Sequence, residues 1–330
     1  MRTRRGTVRL RGWGGVGAMG AACALMGSLV LALPHKAGGA YTQPADGGFG
    51  VTVAARADAD DCNDRSLPPS GKDGPTIDAI KNRAVKKLIV GVDQNSYRWG
   101  YRDPNKKGGA LEGFDIDLAR EIAEEIFGDR DAVVFRAIPT NQRIPAIQSG
   151  QVDMVVRTMT VNCARLKEVD FSTGYFETGQ QVLAPRKSGI TGYNDTLKGK
   201  KVCSAKGSIA LEELEKKSFG ADISTTVPNQ LDCLVRLQLG EVDAVVTDSA
   251  LAAGQAAQDP TVELKDKEPF TTEYYGVAMK KGSDDLVRRV NKVLRDYRED
   301  DKNGWRKSYD KWLKDGLGEV SGPPAPEYRD

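Results

Sequence analysis

Short apolar runs alternate with amphipathic stretches over most of the chain. Residues 87–92 (KLIVGV) form a β-type run ending at Asp93, and residues 133–135 (VVF) form a second. Between them, Gly113 opens a helical stretch to about Phe127, with Leu118, Ile122 and Ile126 at four-residue spacing and Gly128 closing it. Residues 141–149 predict another helix. The order recurs downstream: a strand at 201–203, a Gly207-Ser208 turn and N-cap into a helix at 209–217, and a strand at 225–227. Glu212 and Glu213 suit the early turns of that helix. Apolar runs at 182–185 and 275–279 follow the two series, and amphipathic helices are expected at 285–297 and 305–313.

One phrase is written twice. QSGQVDMVVRT runs from Gln148 to Thr158, and QLGEVDAVVTD from Gln238 to Asp248. In each copy a helix-like stretch stops at a glycine, Gly150 or Gly240, a residue that enters the left-handed conformation cheaply. A Val-Asp turn then leads into a buried-looking strand that ends in polar side chains, Arg157-Thr158 or Thr247-Asp248. Ligands of open α/β sheets sit beyond the carboxyl ends of the strands. Two equivalent strand ends, one basic and one acidic, imply two similar lobes facing each other across a cleft. A zwitterion needs both charges.

Charge and composition narrow the picture. Arg2, Arg4, Arg5, Arg9 and Arg11 precede an apolar run from Ala18 to Leu33, then small residues from Ala37 to Ala40. This is the pattern of an export signal over residues 1–40, with a membrane tether through 18–34 as the other reading. Residues 1–40 hold six of the 48 Lys/Arg and none of the 46 Asp/Glu, so their removal turns a formal charge of +2 into −4. Without a basic stripe carrying aromatics, nucleic acid is not an expected partner. Residues 41–83, rich in Gly, Ala, Asp and Pro, read as a flexible spacer, and residues 317–330 as a Pro-rich tail, extended or disordered.

Four cysteines follow the signal: Cys62, Cys163, Cys203 and Cys233. An even number in an exported chain suggests disulfides, and the spacing fits no CxxC metal pattern. Three pairings are open. Cys203–Cys233 is favoured because the two flank one βα unit, which leaves Cys62–Cys163 by elimination. The single histidine, His35, lies in the signal segment, so the exported chain lacks the imidazole of a catalytic triad or a histidine-bearing zinc site. Neither metal nor cofactor is expected, and a binding protein is favoured over an enzyme.

GFDIDLA at 113–119, RIPAIQSGQVD at 143–153 and RLKEVDFS at 165–172 give the chain a family likeness. It resembles the polar amino-acid-binding proteins of ABC importers, the extracytoplasmic solute-binding family 3, over about residues 86–315. VRTMTVNC, KKVCSAKGS and LDCLVRLQ resemble the actinobacterial glutamate/glutamine-binding branch, some of whose members are similar to sensors linked to a membrane partner. The resemblance implies a two-lobed periplasmic-binding-protein-like fold (type II): two Rossmann-like α/β lobes joined by two crossing strands near 182–186 and 272–277. Lobe 1 would comprise 84–183 and 276–316, and lobe 2 residues 186–272.

The resemblance also assigns roles. Arg165 would hold the ligand α-carboxylate with its bidentate guanidinium, helped by Thr160 and by the N–H of Ile209 at the helix start after Ser208. Asp248, beside Thr247, would hold the α-ammonium with the Thr158 carbonyl. Arg143 and Arg157 would meet a side-chain carboxylate, whereas Asp93 would either receive a side-chain amide or pair with Arg157. Arg143 and Arg157 exceed Asp93 in number, which favours glutamate or aspartate over glutamine or asparagine. Relatives often carry an aromatic platform where this chain has Ser96, with Tyr97 or Trp99 as substitutes. Asp115 and Asp117 are expected to cap and begin their helix. The expected partner is the permease of an ABC importer, or a membrane sensor.

Overall fold

The computed structural model describes residues 62–329, apart from 104 and 107. The export segment 1–40, the tether at 18–34 and residues 41–61 of the spacer lie outside the described residues.

Both halves of the chain build the same unit. In the first, the strands Leu88–Val92, Val133–Ala137 and Met154–Val155 are linked by the helices Phe114–Phe127 and Arg143–Gln148. In the second, Val202–Ala205, Thr226–Val227 and Ala244–Asp248 are linked by Ile209–Lys216 and Gln230–Gln238. In each, the first strand lies between the other two and all three run parallel. Each sheet is then completed by two antiparallel strands. Ala278–Lys280 and Val169–Phe171 finish the first, and Gln180–Pro185 and Val262–Lys265 the second. Gly150 and Gly240 sit at φ 71° and 70°, the left-handed stops expected for the two repeat copies.

Strands covered on both faces need near-continuous apolar sequence, and Leu88, Val90 and Val92 are fully buried. The Phe114–Phe127 helix lays Ile116, Leu118, Ile122 and Ala123 into the same core and ends at Gly128, φ 72°. Leu286, Val290 and Leu294 of the long Asp284–Glu299 helix join the same core.

Three expectations change. The first crossing is not at 182–186: Gln180–Pro185 already belongs to the second sheet, where it pairs with both Ala244–Asp248 and Val262–Lys265. The crossing ladder is instead Phe176–Thr178 against Glu273–Tyr275. The apolar run at 182–185 is a fully covered central strand, which periodicity alone does not distinguish from a linker strand. Second, the 275–279 run is two strands, broken at Gly276-Val277 as the chain re-enters the first lobe. Third, part of the spacer is structured. Pro75–Asn82 is a helix whose Ile77 and Ile80 enter the first core, and the Ile77 N–H donates to Asp285 Oδ2 at 2.9 Å. Two isoleucines among polar residues were too sparse a stripe to reveal it.

The tail is extended, but it is anchored. Ser66 pairs with Tyr328, and Arg329 N donates to Ser66 O at 2.8 Å. Disulfides join Cys62 to Cys163 and Cys203 to Cys233, with Cα separations of 5.7 and 5.6 Å. The helix Ser249–Gln258 and the strand Val262–Lys265 were absent from the sequence reading. An alanine-rich helix has little amphipathic contrast to detect.

Candidate functional site

A strand order that places the first strand between the second and third reverses direction beside the first strand, and a crevice opens at those carboxyl ends. Asp93 follows the first strand of lobe 1, and Arg157 and Thr158 follow its third. Across from them, Gly207 and Ser208 follow the first strand of lobe 2, and Thr247-Asp248 close its third. The repeat therefore delivers its basic and acidic ends to opposite walls of one cleft. The walls touch: Thr140 N donates to Pro228 O at 3.0 Å, and Arg157 Nη2 to Asn229 Oδ1 at 3.3 Å.

Three arginines line the lobe 1 wall, all buried. Arg157 is paired with Asp93, Nη2 to Oδ2 at 2.7 Å, and also donates to Thr140 Oγ1 at 3.1 Å. Asp93 is saturated, because Gln94 N, Asn95 N and Ser96 Oγ donate to it as well. Of the two roles open to Asp93, the structure realises the pair with Arg157. Arg143 and Arg165 differ from Arg157. Among the described residues neither makes an ion pair, and both donate only to carbonyls.

Arg143 reaches Thr140 O at 2.9 Å, Arg157 O at 3.3 Å and Thr158 O at 3.4 Å. Arg165 reaches Thr160 O at 2.8 Å. The two converge across the cleft on one acceptor, Gly207 O, at 3.3 Å each. Burial, then the charges of Arg165 and Arg157, pull the Arg143 guanidinium well below its ordinary range, and burial lowers Arg165 too. Two buried guanidiniums whose acceptors are all neutral would gain from an anion placed between them. Gly207 permits the approach: at φ 77°, a Cβ there would meet Asn141 Cα at 3.0 Å.

Local structure fixes Arg165. It lies on the one-turn helix Cys163–Leu166, capped by Asn162 Oδ1 accepting from Arg165 N at 2.9 Å and tied by the Cys62–Cys163 disulfide. Thr158 takes φ 38°, a left-handed conformation costly for a β-branched residue. It is held there by its N–H donating to Asp115 Oδ2 at 3.0 Å, while Tyr175 Oη donates to Asp115 Oδ1 at 2.8 Å. Asp115 therefore does not cap its helix but supports the cleft floor, and burial pushes its pKa up to about 7. Asp117 likewise accepts from Trp312 Nε1 at 2.7 Å instead of capping.

The remaining expected residues divide. Ser208 caps the Ile209–Lys216 helix, its Oγ accepting from Leu211 N at 3.2 Å, so Ile209 sits where helix N–H groups lack internal acceptors. The Thr160 hydroxyl is committed elsewhere, donating to Glu273 Oε2 at 2.7 Å. The Thr158 carbonyl already receives Arg143. Thr247 and Asp248 are buried at the strand end, where the Gln180 amide donates to Asp248 Oδ1. Burial, then the charge of Glu273, pushes Asp248 up to about 7. Trp99 is no stacking platform: it packs edge-on to Phe114, Phe176 and Tyr275 and donates to Ala250 O at 3.3 Å. Tyr97 packs edge-on to Tyr101.

Sequence reasoning missed Gln180, Glu273 and Tyr275, all buried on or beside the crossing strands. Polar residues inside a short apolar stretch were the available signal.

Residues 88–315 match the bacterial extracellular solute-binding proteins, family 3. The chain belongs to that family. Among its relatives, the ABC transporter glutamine-binding protein GlnH of Bacillus subtilis is 35% identical, aligned over 82% of this chain and 96% of its own. The glutamate-binding protein GluB of Corynebacterium glutamicum is 30% identical over 74% of this chain and 83% of its own. A solved solute receptor for L-cysteine from Neisseria gonorrhoeae superposes with a TM-score of 0.68 at 26% identity, covering 74% and 96% of the two chains. An ancestral arginine-binding protein bound to glutamine gives 0.62 at 36% identity, covering 71% and 98%. These neighbours share the two-lobed architecture. Among the described residues of this family member, no helix is long and apolar enough to cross a membrane.

Proposed function

We propose that this solute-binding protein captures an acidic amino acid, glutamate or aspartate, and presents it to the permease of an ABC importer. One observation carries the reading: Arg143 and Arg165, buried and without ion partners among the described residues, converge on Gly207 O in the cleft that Asp248 lines from the other lobe. Arg165 and Asp248 would serve the two ends of the zwitterion, and Arg143 remains for a second carboxylate. Arg157 is already neutralised by Asp93, so it would shape the wall and bind through hydrogen bonds.

The relatives named for glutamine keep the amide reading in play. Asp93 was its main support, and a carboxylate already accepting from four groups is a poor acceptor for a ligand amide. Import has the support of a relative named as an ABC transporter component, and the membrane-sensor reading has none of that kind. Calorimetric titration of ligand-stripped protein with Glu, Asp, Gln, Asn, Arg and His tests the proposal. Tight binding of Glu or Asp alone is expected. Preference for Gln or Asn would overturn the acidic reading, and silence from a folded protein would overturn the ligand class.

A further inference from the structure

We propose that Glu273, on a strand crossing between the lobes, is a second ligand residue for the ammonium group, forming with Asp248 a two-carboxylate cation site that gives up a proton when the ligand enters. The inference rests on the amino-acid reading above and names a residue and a proton exchange that it lacks.

The geometry begins with strand register. Gln180 lies directly opposite Asp248 in the antiparallel pair, so their side chains share a face. Its Nε2 donates to Asp248 Oδ1 and also to Glu273 Oε1 at 2.9 Å, which brings both carboxylates within reach of one nitrogen. Glu273 is fixed further by Thr271 Oγ1 and Thr160 Oγ1, each donating at 2.7 Å. Asp248 and Glu273 are 7% and 6% exposed, and Gln180 is fully buried. Among the described residues, neither acid makes an ion pair. One polar atom beside them, Gln180 Oε1, has no hydrogen-bond partner among the described residues.

Two like charges bridged by a neutral amide cannot both stay ionised out of water. The groups facing the pair are Gln180 and Thr271 from lobe 2, Tyr275 on the crossing strand, and Thr160, Arg143 and Arg165 from lobe 1. Both arginines act through space only. Beside the Glu273 carboxylate, Asp248 therefore holds a proton until a cation replaces it, and its position, pushed up to about 7 by burial and then by the charge of Glu273, agrees. A ligand ammonium brings its own positive charge and N–H donors, so the Asp248 proton leaves to solvent as the ligand binds. Affinity should rise with pH up to about 7 and then level off. Because Glu273 sits on the crossing ladder, the same contact ties occupancy to the hinge between the lobes.

Two measurements test this. The first needs no ligand: carbon-detected titration of the Asp and Glu carboxyls in stripped wild type, Glu273→Gln and Asp248→Asn. A wild-type carboxyl should titrate within about one unit of neutrality, and in Glu273→Gln the remaining acid should fall by about one unit or more. If every carboxyl in wild type titrates in the ordinary range, the protonated Asp248 beside Glu273 is wrong. The second is calorimetry near pH 6 in two buffers of different ionisation enthalpy. Its probes are the tightest ligand of the amino-acid panel and its des-amino analogue, glutarate for L-glutamate. Wild type should release close to one proton with the amino acid and none with the analogue. Glu273→Gln should bind the amino acid roughly tenfold or more weakly, with proton release lost, a loss that one charge-assisted hydrogen bond can produce. Unchanged affinity and proton count in a folded Glu273→Gln would overturn the proposal. If no amino acid binds wild type, the ligand reading fails, and the ligand-free titration still decides the carboxylate pair.

Discussion

Replacing Asp93 by Ala exposes the electrostatic design of the cleft most directly. Asp93 is 5% exposed and Arg157 fully buried, their contact is 2.7 Å, and Arg157 then retains only Thr140 Oγ1 and Asn229 Oδ1 as side-chain acceptors. Asp93 also organises the turn after its strand by accepting from Gln94 N and Asn95 N at 2.7 and 2.9 Å. Removing one partner of such a pair strands a buried charge and costs on the order of 3–5 kcal/mol. For a body of this size each kcal/mol moves the melting temperature by roughly 2–4 °C, so a fall of about 10 °C is expected in thermal unfolding followed by circular dichroism. The double variant Asp93→Ala/Arg157→Met should recover part of that loss, because the stranded charge is gone. A single-variant cost below about 1 kcal/mol, or strictly additive effects in the double variant, would refute the buried-pair argument.

Arg165→Ala and Asp248→Ala should each weaken amino-acid binding by about a hundredfold or more with the protein still folded, whereas Arg143→Ala should shift preference from acids toward amides; calorimetry with the same panel reads both. Reducing Cys203–Cys233, which spans 30 residues, should lower stability by roughly 3.5 kcal/mol in the chain-entropy picture, read as a shift of the urea midpoint between wild type and a Cys203→Ala/Cys233→Ala variant. Asp115 has its pKa raised to about 7 by burial, so its protonated form is the one the fold favours. Its contribution is therefore full below the unfolded carboxyl value near 4 and is lost as pH rises through about 7. Asp115→Asn should remove that decline, at most on the order of 4 kcal/mol, in unfolding curves collected across the interval.

Most of the framework was legible because parallel strands covered on both faces leave a plain signature. KLIVGV and the strands of the two repeat copies are buried as their apolar runs demand, VVF is the half-exposed edge strand beside them, and the glycines ending each repeat helix carry the left-handed φ that the pattern demanded. What escaped had weak or borrowed signals. Pro75–Asn82 is a helix because Ile77 and Ile80 find a core built by residues two hundred positions away, which no local window contains. The crossing point was misplaced for a related reason: Gln180–Pro185 and Phe176–Thr178 are both short strands, and only their partners separate a sheet from a hinge.

The charged residues show where a local reading stops. Arg165 and Asp248 could be located from the repeat and from family likeness, since both stand at strand or loop ends. Whether an arginine is spent on the protein or held for a ligand depends on what faces it after folding. Arg157 and Arg143 looked equivalent along the chain, yet one meets Asp93 and the other meets four carbonyl oxygens. The same holds for acids. Asp93 is consumed by four donors, whereas Asp248 and Glu273 share the amide of Gln180 and, among the described residues, face no cation at contact distance. Around Gly207 O and the Gln180 amide, two cations and two acids make no ion pair among the described residues. On the proposed reading, a ligand carrying both signs would satisfy both sets at once and bridge the two lobes.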